Sequence, residues 1–298
     1  MAIAKRIFLF LLVNILVMTT ISIVLNVLGV RYYITEAGID YGQLMAFCLV
    51  WGMGGAFISL ALSRVMAKWL MGVKIIDETV SNSELQWLVR KIHELARHAG
   101  MSTMPQVGIY ESPEVNAFAT GPTKNRALIA VSSGLMSQMD HQQIEGVLAH
   151  EVSHVTNGDM VTMTLIQGVV NAFVMFLARI IAFAISQNAK EESRHMIHML
   201  TVIVLEIFFS ILGAFVVSYF SRLREFRADS GGARLAGREK MIAALRALQR
   251  RHGIQENEEQ AQPAIASLKI SGKSRGLFAL LSTHPPLEER IARLQEAR

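Results

Sequence analysis

Apolar positions along this chain fall into two patterns, continuous runs and periodic stripes. Four runs are continuous: residues 7–28, 44–62, 160–185 and 199–220, each interrupted only by scattered polar positions. About 20 predominantly apolar residues cross a bilayer core, so each run predicts a membrane-spanning helix. The first run is longer than the apolar part of a signal peptide, about 7–15 residues, and ends in no small-residue cleavage motif. It reads as a retained span. Gly168, Gly213 and Ala214 would let the last two helices pack closely. Glu206, inside the fourth run, requires a face turned to other helices or to a wet cavity.

Between residues 77 and 157 the apolar positions become periodic, the mark of a water-exposed domain. Ser83–His98 predicts an amphipathic helix with Leu85, Leu88, Ile92 and Leu95 inward, capped at Ser81 or Ser83. Residues 106–110, 115–120 and 127–131 predict short strands between Pro, Gly and Asn turn signals. Residues 137–155 read as one helix with the stripe Ile144, Val147, Leu148, Val152 and Val155. Gly158 closes it, and Asp159 caps the third run. After the fourth run come a basic segment, 221–237, an amphipathic helix, 238–252, and an acid-rich mobile loop, 255–264. A short apolar helix at 277–281 and a final helix at 287–297 follow. The expected organisation is two spans in 1–76, a folded part in 77–158, two spans in 159–220 and a second folded part in 221–298.

Composition agrees with a membrane protein: 52% of the 298 residues are hydrophobic and the mean hydropathy is +0.36. The net charge of +5 does not argue for nucleic acid, because many basic residues flank apolar runs. Lys5 and Arg6 precede the first run, and Arg64, Lys68 and Lys74 follow the second. The positive-inside rule then puts both termini and the folded parts in the cytoplasm, with residues 32–40 and 187–197 outside. Arg222, Arg224 and Arg227 fit a cytoplasmic anchor. The one cysteine, Cys48, allows no intramolecular disulfide and no cysteine metal cluster, so a metal site must use His and carboxylate.

Such a set is present. His150-Glu151-x-x-His154 places two imidazoles four residues apart, on one helical face, where both can ligate one metal ion. Glu151 lies about 100° round from His150, suited to act as general base on a water and not as a third ligand. Zn²⁺ accepts imidazole and carboxylate and keeps a position open in catalytic sites. Glu225 is the expected third ligand, and Asp229, one turn on, the carboxylate that holds the far ring nitrogen of a ligand histidine. His93, His98 and His141 have no matching partner spacing. His284, before Pro285-Pro286, is either a turn residue or a site residue.

His150-Glu151-x-x-His154, Ser221-Arg222-x-x-Glu225-x-x-x-Asp229, Asn116-Ala117-Phe118-Ala119 and Ser282-Thr283-His284-Pro285-Pro286, in that set, resemble the bacterial HtpX membrane zinc metalloproteases, relatives of the CAAX prenyl proteases. The resemblance implies a mainly α integral membrane protein: four transmembrane helices and a cytoplasmic α+β zincin-like metalloprotease domain with a small mixed or antiparallel sheet. It implies one Zn²⁺ on His150, His154 and Glu225, with Glu151 as general base and Asp229 behind the ligands. Asn116, Ala117, Phe118 and Ala119 would form an edge strand that binds extended peptide. His284 would steady the oxyanion. The implied substrates are damaged or misassembled, unfolded membrane proteins, met at the bilayer of the inner membrane. Two other readings remain: a site-2-type intramembrane metalloprotease, and a non-catalytic metal-binding membrane scaffold or transporter.

Overall fold

The computed structural model describes residues 2–30, 33–35, 38–260 and 281–296. Chain contacts divide it into two compact units, Met1–Ala61 with Thr162–Val217 and Leu62–Val161 with Ser218–Arg298.

The first unit is helical. The four apolar runs lie in α1 (Ala2–Val27), α2 (Tyr41–Leu70), α6 (Asp159–Ser186) and α7 (Glu191–Ala236), with α2 and α7 continuing into the second unit. Length and apolarity qualify α2, α6 and α7 to cross a membrane, and Ile15–Val27 of α1 forms a shorter apolar stretch. The connection after α1 carries a small antiparallel hairpin, β1 (Ile34–Thr35) with β2 (Gly38–Ile39). Leu44, Cys48 and Ala172 pack together between α2 and α6. That approach depends on Gly52, where a Cβ would stand 2.5 Å from the Ala172 backbone nitrogen. Gly213 of α7 packs closely on Val170 of α6, as expected, whereas Gly168 of α6 meets Met53 of α2 and not α7. Glu206 on α7 meets Arg179 on α6 at 2.5 Å, and Arg179 also lies over the Phe47 ring.

The second unit is built on a four-stranded mixed sheet. Its order is β3 (Lys74–Ile76), β4 (Gln106–Tyr110), β6 (Leu128–Ser132), β5 (Ala117–Thr120). Only β4 and β6 run parallel. The central strand β6 is buried throughout, whereas β5 lies at an edge. One face of the sheet packs on α3 (Ser83–His98), α5 (His141–Asn157) and α8 (Arg238–Gln260) through Leu88, Ile92, Ile129, Ile144, Leu148 and Ala244. α9 (Leu287–Glu296) packs on α8 through Ile291 and Leu294, and its Arg293 guanidinium sits 3.7 Å over the Phe226 ring of α7.

Several sequence expectations need correction. The single helix over 137–155 is two, α4 (Ser133–Gln138) and α5, because the Asp140 side chain accepts from Gln143 N–H and starts a new helix. The cap of α3 is Asn82, not a serine; its side chain accepts from Glu84 and Leu85 N–H. The polar stretch 191–198 and the segment 221–236 are both part of α7, which stops only where Gly237 takes φ +98°. Residues 255–260 belong to α8 and not to a loop. Strand β3 and the β1–β2 hairpin were not expected. The predicted helix at 277–281 and the rest of the loop at 261–264 lie outside the described residues, apart from Leu281.

Candidate functional site

The site begins with α5, whose stripe of Ile144, Leu148, Val152 and Val155 is buried in the core and fixes the helix in rotation. His150 and His154 are thereby held on one face, both nearly buried. Their Nε2 atoms stand 3.1 Å apart. α7 brings Glu225 against them, with Oε2 3.4 Å from His150 Nε2 and Oε1 3.3 Å from His154 Nε2. The helices approach this closely because residue 232 is glycine: a Cβ there would lie 3.1 Å from the His150 backbone nitrogen. α5 itself closes at Gly158, left-handed at φ 72°.

The far ring nitrogens have their own carboxylates. His154 Nδ1 donates to Asp159 Oδ2 at 2.7 Å, and His150 Nδ1 stands 3.0 Å from Asp229 Oδ1. Asp229 is in turn clamped by Arg290 of α9, with Nε donating to Oδ2 at 2.8 Å and Nη2 to Oδ1 at 2.7 Å. All of these groups are buried. Burial works to raise the Asp229 carboxyl, but Arg290 and His150 outweigh it and hold the group below the usual carboxylate range. Burial works to lower the His154 imidazolium; Asp159 and Glu225 override it and push the group up to about 9. His150 rises too: burial is again outweighed, by Asp229 and Glu225. For Glu225 the close imidazoles of His150, His154 and His284 prevail over burial and hold it far below the usual range.

The donor set fits a divalent metal. One ligand atom from each of His150, His154 and Glu225 lies within 4.8 Å of the others. Both Glu225 oxygens are buried and face the imidazoles of His150, His154 and His284. Two imidazole nitrogens and a carboxylate that converge this way suit a cation between them. Ligands about 2.0–2.1 Å from a tetrahedral ion stand about 3.3–3.4 Å apart, close to the spacing seen here.

The cluster opens into a cavity of about 900 Å³. His150, Glu151, Glu225 and His284 line it, with Ala117 of β5, Asn116 just before that strand, and an apolar wall that includes Val147 and Leu245. His284 Nδ1 stands 3.0 Å from Glu225 Oε2.

Residues 82–298 match the model of peptidase family M48. The chain belongs to peptidase family M48. Its relatives include a Bacillus subtilis (strain 168) protein described as a protease HtpX homolog, 56% identical over 300 residues, covering 98% of this chain and 99% of that protein. Protease HtpX of Shewanella halifaxensis (strain HAW-EB4) is 51% identical over 298 residues, covering 98% and 99%. The crystal structure of S. mikatae Ste24p superposes with a TM-score of 0.64 over 98% of this chain at 18% identity, a likeness of fold. This chain spans 64% of the length of that structure. The M48 chain is thus a membrane-bound metalloprotease that acts on protein substrates, and its apolar helices make it a multi-pass membrane protein.

Most of the expected M48 site residues come together: His150, His154, Glu225, Asp229, Glu151, His284, Asn116 and Ala117. Phe118 and Ala119 lie further along the same edge strand, outside the cavity lining, and the Phe118 side chain points away from it. Alternation along β5 turns that side chain to the opposite sheet face, where it packs 5.7 Å from the Tyr110 ring, while Ala117 and Ala119 face the helices. Two residues were missed. Asp159 does open α6, but its carboxylate is spent on His154. Arg290 was hidden in an amphipathic helix. An acid just beyond a left-handed glycine was the available signal for Asp159, since the reversed chain returns to the last helical turn. Arg290 offered none.

Proposed function

We propose that this chain is a Zn²⁺-dependent endopeptidase whose site faces the cytoplasm at a bacterial inner membrane, where it cleaves extended segments of damaged or misassembled membrane proteins. The observation that carries the reading is the convergence of His150 Nε2, His154 Nε2 and the buried Glu225 carboxylate beside Glu151 in one open cavity. Zn²⁺ held by these three residues supplies Lewis acidity to the scissile carbonyl and to the attacking water.

The chain's own residues do the rest. Asp229 and Asp159 hold the two ring nitrogens that do not face Glu225, so both imidazoles present Nε2 lone pairs in one direction. The Glu151 carboxylate takes a proton from the attacking water and delivers it to the leaving amine. His284, at the cavity wall, donates to the oxygen on which charge develops. The free side of edge strand β5 offers main-chain groups to an extended substrate, and only an unfolded segment can add as a strand there. Lys5, Arg6, Arg64, Lys68 and Lys74 support four spans with both termini inside. The site residues all belong to the unit that carries the sheet, which disfavours a site-2-type arrangement within a span.

The test is zinc content and peptide cleavage on one detergent-purified sample. Wild type should hold one Zn²⁺ and cleave. Glu151→Gln should keep the metal while turnover falls at least about a hundredfold. Near-normal cleavage by Glu151→Gln would remove it from the mechanism, and an inert, metal-loaded wild type would favour the scaffold. A reporter fused at Asn157 that is active outside the cytoplasm would overturn the topology.

A further inference from the structure

Three residues on one face of α7 take hold of the segment that carries His284, in order. Ser218 Oγ donates to the Leu281 carbonyl at 2.9 Å, and Arg222 Nη1 to the Ser282 carbonyl at 2.9 Å. Glu225 Oε2 then meets His284 Nδ1 at 3.0 Å. Positions 218, 222 and 225 are spaced four and three apart, the spacing that keeps side chains on one helical stripe. One turn further Asp229 takes Arg290, so the track runs 218–281, 222–282, 225–284, 229–290 with both segments in the same direction. The segment adds its own brace, Ser282 Oγ donating to the His284 carbonyl at 2.8 Å.

The His284 side chain needs such a brace. It is 61% exposed, and among the described residues its polar contact is with Glu225. Pro285 and Pro286 fix φ on the far side of it. On the near side the backbone is fixed by the bonds that Ser218 and Arg222 donate. Ser218 is 3% exposed, and Arg222 lines the catalytic cavity itself.

We propose that Arg222 is a positioning residue for His284: its hydrogen bond to the Ser282 carbonyl, supported by Ser218, sets the distance of the His284 ring from the reacting atoms. This rests on the peptidase reading and on the role given to His284 there. It differs from the obvious role of a cavity-lining guanidinium, which is to hold substrate. A substrate anchor acts on KM and acts independently of His284. A positioning residue acts on kcat and only through His284.

The experiment is a double-mutant cycle on the full-length, metal-loaded protein with a quenched peptide substrate. His284→Ala should lower kcat roughly a hundredfold, the loss typical of one donor to a developing oxyanion. Arg222→Ala should lower kcat about tenfold or more with KM unchanged, since a misplacement of about 1 Å costs up to about a hundredfold. Arg222→Ala with His284→Ala should be no worse than His284→Ala alone, within about twofold. Arg222→Gln keeps an N–H donor without the charge and should recover most of the loss. Ser218→Ala should repeat the pattern more weakly, which keeps the test open if Arg222→Ala folds poorly. Losses that multiply in the double variant, a rise in KM in place of the fall in kcat, or normal kcat in Arg222→Ala would each overturn the inference while leaving the peptidase reading intact. A metal-loaded wild type without turnover would overturn both.

Discussion

His150 and His154 lie one turn apart on the same helix, yet one is held from close by in the chain and the other from far along it. His154 leans on Asp159, five residues on, across the turn that Gly158 makes between α5 and α6. His150 leans on Asp229, which is itself gripped by Arg290. The first support is local, supplied by the first residue of the next helix. The second links three helices and buries a guanidinium that has value only while its carboxylate is present. Loss of the local support should therefore loosen the metal alone, and loss of the remote one should loosen the metal and the fold together.

The largest effect should come from the residue both halves share. Glu225→Ala removes the carboxylate that meets both Nε2 atoms, so metal content and cleavage should fall to background together. Full zinc retention would send the search for the third ligand elsewhere.

The two supports can then be compared directly. Asp159→Ala and Asp229→Ala should each weaken zinc binding about 10–100-fold in a chelator competition. Only Asp229→Ala strands a buried charge, at about 3–5 kcal/mol, so its Tm should fall by about 10 °C, against a few degrees for Asp159→Ala. Equal Tm losses would erase the distinction. Adding Arg290→Gln to Asp229→Asn should return most of the Tm but not the zinc affinity; recovery of both would mean that Asp229 serves Arg290 and not His150.

The smallest effect is a pH dependence of the local half. In the metal-free protein the His154 group is pushed up to about 9 from the ordinary 6.5. A group raised on folding contributes stability that is complete below about pH 6.5 and lost as pH rises through about 9. Thermal melts of metal-free protein should decline across that window. Metal-loaded protein has no proton there to lose, and its Tm should hold. A metal-free Tm that rises between pH 6.5 and 9 would contradict this.

The pattern that was readable in the sequence follows the same division. His150, His154 and Asp229 were legible because helical spacing alone puts them on shared faces, and Glu225 because the histidines leave a ligand wanting. Arg290 was not legible: amphipathic periodicity says that a helix has an inner face and not what that face will meet. Two boundaries failed for a related reason. The polar stretch before residue 199 read as a loop between two spans, but composition does not stop a helix, and α7 begins at Glu191 and runs without a break to Ala236. Continuous periodicity over residues 137–155 looked like one helix, but a single capping side chain, Asp140, divides it.

The ion pair between Arg290 and Asp229 also sets an order in time. Translation at about 5–20 residues per second reaches Arg290 roughly 7–27 s after His154, since 136 residues separate them. During that interval the two histidines and Asp159 have been made, and for most of it Glu225 and Asp229 have not. Even once they follow, Asp229 has no guanidinium to answer it, and no His284 stands at the cavity wall until six residues before Arg290. The site of this M48 chain is therefore incomplete for as long as the chain is being made, and the residue that completes it, Arg290, makes its bonds to Asp229 and not to the imidazoles.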